Sequence, residues 1–241
     1  MPSLIQQMSL KTVIVACSRS SQLSREELLI AQSFDHGGLD RVATLDIVWE
    51  NSEGLSKVYN RKMDQYAASA VEFIVFVHDD VYIDDLKIVE KLSTAHHSLG
   101  YDIVGVAGAA ALNVAYPSLW HLMSEPKDRR GYVSHFAKPG QVVCSSYGGT
   151  PSRVVVADGL FLAVHLPTAV GKGWKFNENY DFHHYDLSSC LDAVGLGLRL
   201  GVYPIHLIHD SPGLDSLANP RWKASDQKFL SEYGGTAAGY P

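Results

Sequence analysis

Three short stretches of this chain carry side chains whose types and spacing could do chemistry. Glu72-Phe73-Ile74-Val75-Phe76-Val77-His78-Asp79-Asp80-Val81 is an apolar run that stops in one imidazole and two carboxylates. Tyr203-Pro204-Ile205-His206-Leu207-Ile208-His209-Asp210 repeats the pattern near the other end of the chain. Between them, residues 174–191 gather acids and imidazoles, His183-His184-Tyr185-Asp186 among them, just ahead of a helical pattern. Adjacent acids repel unless a cation or a donor offsets them. His78, Asp80 and His209 are residue types that hold a divalent ion, Mn²⁺ or, with mostly oxygen ligands, Mg²⁺. Asp186 falls at a predicted helix start, where the helix dipole stabilises an ionised carboxylate able to act as a general base. Each stretch also has a plainer reading: a strand-end turn, a hydrogen-bonded structural histidine, a helix cap. Their coincidence in one chain favours chemistry.

These groups need elements to position them. The unbroken Ile/Val/Phe run over 73–77 predicts a strand buried on both faces, as in parallel sheets covered by helices. Further strands are predicted at 11–20, 43–49, 101–108, 152–164 (broken near Asp158-Gly159) and 198–207. Helices are predicted after a capping box formed by Ser24 and Glu27, over 54–70, from Asp84-Asp85-Leu86 to Leu99-Gly100, and from about Tyr185 to Val194. A short helical stretch lies near Phe229. Strands alternating with helices imply right-handed crossovers and a mostly parallel sheet in an α/β domain. Ligands of such sheets bind at the carboxyl ends of the strands. Residues 113–149, rich in Pro, Gly, Ser, His and Tyr, read as a long irregular insert of the kind more often functional than idle.

Composition narrows the function classes. With 46% hydrophobic and 19% charged residues, the 241-residue chain has ordinary globular composition, which excludes a disordered or fibrous class. A net charge of −6 without a basic stripe argues against nucleic acid as the main partner. Three scattered cysteines, Cys17, Cys144 and Cys190, suit neither a disulfide framework nor a zinc knuckle. No run approaches the ~20 apolar residues of a membrane span, and no secretory leader is visible. The expectation is a cytoplasmic protein, at most peripheral to the inner face of the membrane.

In their order along the chain, these landmarks resemble glycosyltransferases of the GT-A fold, close to family 2. More narrowly, they resemble the bacterial glycosyltransferase-like proteins linked to capsule or surface polysaccharide genes. The resemblance is carried by Ala16-Cys17-Ser18-Arg19, by Glu50-Asn51-Ser52-Glu53-Gly54-Leu55-Ser56 and by Tyr59-Asn60. It continues through Phe76-Val77-His78-Asp79-Asp80-Val81 in the place of the family's DxD, Asp158-Gly159, Phe176-Asn177-Glu178 through Tyr185-Asp186-Leu187, and His209.

The resemblance implies one GT-A domain over 1–241: a nucleotide-sugar half (11–110), an acceptor half (111–213) and a tail (214–241). Ser18, Arg19, Glu50 and Asn51 would hold the nucleoside, with Asn60 and Asp79 also on the donor side. Asp80, His78 and His209 would bind the Mn²⁺ or Mg²⁺ that bridges the donor diphosphate. Asp186 would deprotonate the acceptor hydroxyl, with His183 and His184 as alternatives, and Asp158, Gly159 and Trp174 would face the acceptor. The implied donor is a nucleotide-diphosphate sugar, a UDP-sugar first, and the acceptor a glycan or glycolipid. Two departures stand out: His78 replaces the first acid of the DxD, and His183-His184 stand where the family often has Glu-Asp. Two other classes compete. An Fe(II) oxygenase would use His78, Asp80 and His209 with Arg221 for a co-substrate carboxylate, but needs an antiparallel barrel. A non-catalytic carbohydrate-binding protein would keep the fold without the reaction.

Overall fold

The computed structural model describes residues 11–113, 115–138, 140–210 and 219–235. In chain order the strands are β1 (Thr12–Cys17), β2 (Thr44–Val48), β3 (Phe73–His78), β4 (Val81–Ile83), β5 (Ile103–Gly105), β6 (Ala107–Ala109) and β7 (Arg129–Lys138). They continue as β8 (Gln141–Gly148), β9 (Ser152–Val154), β10 (Val156–Ala157), β11 (Phe161–His165), β12 (Leu200–Val202) and β13 (Leu207–His209). The α-helices are α1 (Leu29–Asp35), α2 (Leu55–Ala67), α3 (Ile88–His97), α4 (Trp120–Met123), α5 (Leu166–Gly171), α6 (Tyr185–Gly195) and α7 (Pro220–Tyr233).

Seven strands form one sheet in the order β2-β1-β3-β11-β5-β12-β9, and β10-β6-β7-β13-β4 form a second, with β8 paired to β7. β1 is parallel to β2 and β3, and β12 to β5. The first five residues of β3 are buried, as an apolar run without polar alternation predicts. β11, however, lies antiparallel between β3 and β5, and β9 antiparallel on β12, so the first sheet is mixed. The chain passes between the sheets at Asp79-Asp80, Val106, Val155, residues 158–160 and residues 203–206. The chemistry-bearing residues cluster along this seam.

Several expectations change. Ser24 does not cap a helix: it lies inside a 3-10 segment, Gln22–Glu27, and the α-helix starts only at Leu29. None of the segment's residues is buried, so the box has no packed face to extend into. α3 starts at Ile88, with Asp85 ahead of it accepting the Lys87 N–H at 3.1 Å. The strand expected over 198–207 is two pieces in different sheets, β12 and β13. Near Phe229 the short helical stretch is the 14-residue α7, with Phe229 fully buried. Residues 211–218 and 236–241 lie outside the described residues.

The largest difference is at 113–149. Much of it is an antiparallel ribbon of β7 and β8, paired from Gly131 opposite Gly148 to Lys138 opposite Gln141. Gly131 has φ +83°, and a Cβ there would strike the Val106 carbonyl at the seam, so the position needs glycine.

An aromatic core supports the seam from below. Tyr59 of α2, Phe76 of β3 and Phe176 have ring centroids 4.4–5.2 Å apart, and Tyr185 of α6 stands 5.9 Å from Tyr59. Burying each such ring contributes about 1.5–3 kcal/mol. Among the described residues, no helix is long and apolar enough to cross a membrane.

Candidate active site

His78 ends β3, Asp80 lies in the two-residue passage to β4, and His209 ends β13. Backbone pairing brings them together: His209 lies opposite Val81, and the Asp210 N–H donates to the Asp80 carbonyl at 3.0 Å. One ligand atom from each of His78, Asp80 and His209 lies within 4.8 Å of the others, and no other group of this kind occurs among the described residues. His209 Nε2 is 3.3 Å from Asp80 Oδ1, yet that oxygen is buried without a hydrogen-bond partner. Leaving a buried acceptor unpaired costs about 1–3 kcal/mol, and more for a charged group, a cost that a cation would remove. The residues fit a divalent ion, and two imidazoles with one carboxylate suit Mn²⁺ or another borderline metal better than Mg²⁺. Burial holds the His78 imidazole below the ordinary histidine range, against the pull of Asp80. Burial alone would raise Asp80 and lower His209. Their mutual contact outweighs it, so Asp80 lies low and His209 high.

A second cluster adjoins the first. Asp186, at the second position of α6, accepts the Gly159 N–H on Oδ2 at 2.9 Å, and the Tyr185 hydroxyl donates to the Gly159 carbonyl at 2.8 Å. A Cβ on Gly159 would stand 2.6 Å from the Tyr185 hydroxyl oxygen and 2.8 Å from Asp186 Cβ. Only glycine lets the turn sit this close. Burial, then the charge of Asp158, pushes the Asp186 carboxyl up to about 7, against the backbone N–H groups that favour its ionised form. A carboxylate so tuned suits general base chemistry at neutral pH. Asp158 also acts electrostatically on His78, His121, His135 and His209. It therefore links the acid on α6 to the cation ligands.

The donor-side residues divide. Ser18, Arg19, Glu50 and Asn51 meet at the ends of β1 and β2, where the Glu50 N–H donates to Ser20 O and the Asn51 N–H to Ser18 O. Ser18 is buried and its Oγ accepts the Ser20 N–H at 3.2 Å, whereas Arg19 and Glu50 are exposed. The Asn51 side chain closes a turn on the backbone of Glu53. Asp79 lines a cleft of about 100 Å³ with Cys17, Leu55, Tyr59, His78, Asp80 and Phe182. Asn60 does not belong there: it is buried and spends its amide on the backbone of Phe176 and on Glu178.

Trp174 is not an acceptor wall. It is 2% exposed, packs on Phe176 and donates its indole N–H to Ser189 O at 2.9 Å. Its ring has no free face for a sugar, so core packing explains it. His183 and His184 lean toward α7 instead of Asp80. Ser225 Oγ donates to the His183 carbonyl, and His184, buried at φ +63°, meets Ser225 and Asp226. Arg221 is among the charges that act on His183.

Three neighbours of the site carried no assigned role in the sequence. Phe182 stacks on His78 at 6.1 Å, His135 of β7 stands 6.0 Å from His209, and the Tyr185 hydroxyl lies 3.3 Å from His78 Nε2. A signal for His135 existed: Pro139-Gly140 is a turn dipeptide flanked by two strand-length arms.

Residues 41–233 match the glycosyltransferase-like family. The chain belongs to that family. Its fold is GT-A. Among solved structures, S. aureus TarS aligns with a TM-score of 0.55 and 12% identity over 94% of this chain and 40% of that one. TarS 1–349 in complex with UDP aligns with a TM-score of 0.51 and 11% identity, over 94% of this chain and 66% of that one. A protein from STIV gives a TM-score of 0.50 and 13% identity over 83% and 86%. At these identities the likeness concerns the fold alone, and the chain spans 40% of the first TarS chain it matches. A search of curated proteins finds no match. The antiparallel barrel of the competing iron oxygenases is not this fold.

Proposed function

We propose that this family member transfers a sugar from a nucleotide-diphosphate sugar to a hydroxyl acceptor, with inversion and with a divalent ion. One observation carries the reading: His78, Asp80 and His209 converge at the end of β3, beside the start of α6, where Asp186 has its carboxyl raised to about 7. Asp186 takes the acceptor proton, and Asp158, in the turn hydrogen-bonded to it, tunes it. Ser18, Arg19, Glu50, Asn51 and Asp79 hold the nucleotide at the neighbouring strand ends. A divalent ion held by His78, Asp80 and His209 would neutralise charge on the departing nucleoside diphosphate. The UDP in the TarS 1–349 structure supports a UDP-sugar as the first donor to try.

In this reading residues 11–110 form the donor half of one domain and 111–213 the acceptor half. The acceptor is a glycan or glycolipid of surface polysaccharide synthesis, reached from the cytoplasm. Thermal-shift and turnover measurements with UDP-, GDP- and dTDP-sugars, each with Mn²⁺, Mg²⁺ or chelator, test the proposal. Stabilisation and turnover by one donor with Mn²⁺ is the expected outcome. No stabilisation by any nucleotide or nucleotide-sugar would overturn it.

A further inference from the structure

The hydrogen bonds around Tyr185 leave little freedom for its proton. A backbone carbonyl only accepts, so the 2.8 Å contact with Gly159 O commits the single hydroxyl proton of Tyr185 to that bond. His78 Nε2 lies 3.3 Å from the same hydroxyl oxygen and can meet it only by donating. A neutral imidazole has one N–H, so donation from Nε2 leaves a lone pair on Nδ1. Tyr185 cannot readily turn away from this arrangement. It is 2% exposed, packs edge-on against Tyr59 and lies 6.1 Å from Phe176. The Gly159 turn closes over its hydroxyl so tightly that a side chain at 159 would collide with it.

We propose that Tyr185 is a positioning residue that fixes His78 as its Nε2–H tautomer, leaving Nδ1 as the nitrogen available to a divalent cation. The inference rests on the reading of His78, Asp80 and His209 as the cation ligands of a sugar transferase. It assigns a role to a residue between the base and the helix cap, and it explains how an imidazole can stand where the family has an acid. An acid needs no choice of tautomer; a histidine ligand does, and a hydrogen-bond partner on its other nitrogen supplies it. Because Tyr185 and Asp186 are consecutive at the start of α6, one turn of helix sets both the cation ligand and the base.

The test uses the full chain, ¹⁵N-labelled and treated with EDTA, in long-range ¹H–¹⁵N correlation spectra of its histidines. His78 is expected to show a protonated Nε2 and an unprotonated Nδ1. In Tyr185→Phe, which keeps the packed ring, that preference is expected to be lost, and Mn²⁺ affinity measured by electron paramagnetic resonance to fall about 10–100-fold, the range found for such partners. Circular dichroism melting checks that the variant is folded. A wild-type His78 protonated at Nδ1 overturns the proposal whatever the variant does, and so does unchanged Mn²⁺ affinity in folded Tyr185→Phe. If the tautomer and Mn²⁺ results hold while no nucleotide-sugar is bound or turned over, the positioning role stands and the transferase reading falls.

Discussion

Asp186 Oδ2 accepts the Gly159 N–H at 2.9 Å, tying the first turn of α6 to the turn that carries Asp158. Two carboxylates are thus brought together from different elements, and burial and the charge of Asp158 hold Asp186 up to about 7. If Asp186 is the base, transfer must rise as pH increases through about 7, because only the ionised form accepts a proton. Stability runs the other way. The folded value stands above the ordinary 3.8, so the unfolded chain gives up this proton first. The stability contribution is complete below about 4 and is lost as pH rises through about 7. Asp186→Asn keeps an oxygen for the Gly159 N–H. It should cost about 10²–10⁴-fold in turnover, remove the pH dependence near 7 and raise the melting temperature at pH 8. Wild-type turnover in this variant would take Asp186 out of the chemistry.

Asp80→Ala should abolish Mn²⁺-dependent stabilisation by UDP, while in metal-free protein it removes the contact with His209 Nε2 at 3.3 Å and leaves the chain folded. His209→Ala should behave alike, and the double variant should lose nothing further, as expected for ligands of one ion. Calorimetric titration with Mn²⁺ and then UDP reads both. Nucleotide affinity unchanged in Asp80→Ala would show that the ligand lies elsewhere.

Much of this site was legible as residue types, less of it as contacts. The runs ending in His78 and His209 announced themselves because a buried strand that stops in charge is costly without a partner. The early frame was equally plain, since β1 and β3 are continuous buried apolar runs. The β7–β8 ribbon was not. Its outer arm, Gln141–Gly148, has no fully buried residue, so neither a continuous apolar run nor clean alternation marks it, and His135 was lost with it. Direction of pairing was also hidden: β11 is as apolar as a parallel strand and runs the other way. Asn60 and Trp174 show a third limit. Both residue types can serve ligands, and only the observed partners, Phe176 and Glu178 for one and Ser189 for the other, show them engaged in packing.

His184 gives a separate acid-sensitive element. Its Nδ1 is 2.8 Å from Ser225 Oγ, its Nε2 is 3.5 Å from Asp226 Oδ1, and its ring stacks on Phe229. Burial, against the pull of Asp226, lowers its value from 6.5 to about 4. A depressed histidine stabilises the fold in its neutral form, so the contribution is present above about 6.5 and is lost as pH falls toward about 4. α7 should therefore loosen in mild acid, visible as a change in tryptophan fluorescence from Trp222. His184→Asn, which tolerates the left-handed backbone, should flatten that transition. An identical acid transition in the variant would assign it to another group.

Trp174→Ala should destabilise the protein by about 3–5 kcal/mol, the usual cost of emptying a buried tryptophan site. Trp174→Phe should cost less and leave the KM for any acceptor unchanged. Denaturant melts and acceptor saturation curves separate the two effects. A raised acceptor KM in a stably folded Trp174→Phe would restore the residue to the binding surface.

The antiparallel setting of β11 has a consequence for how this site can vary. Phe161 is laddered to Val77, the residue before His78, so the spacing between the Asp158 turn and the cation ligands is fixed by register. Register can change only in whole residues, and a shift of one turns every side chain of the strand to the opposite face. The distance between the two halves of the site is therefore quantised, and insertions that alter it gradually have no place in β11. Variation in what the acceptor side can accommodate must come from residues outside that ladder, leaving the separation of base and cation ligands constant while the surroundings diverge.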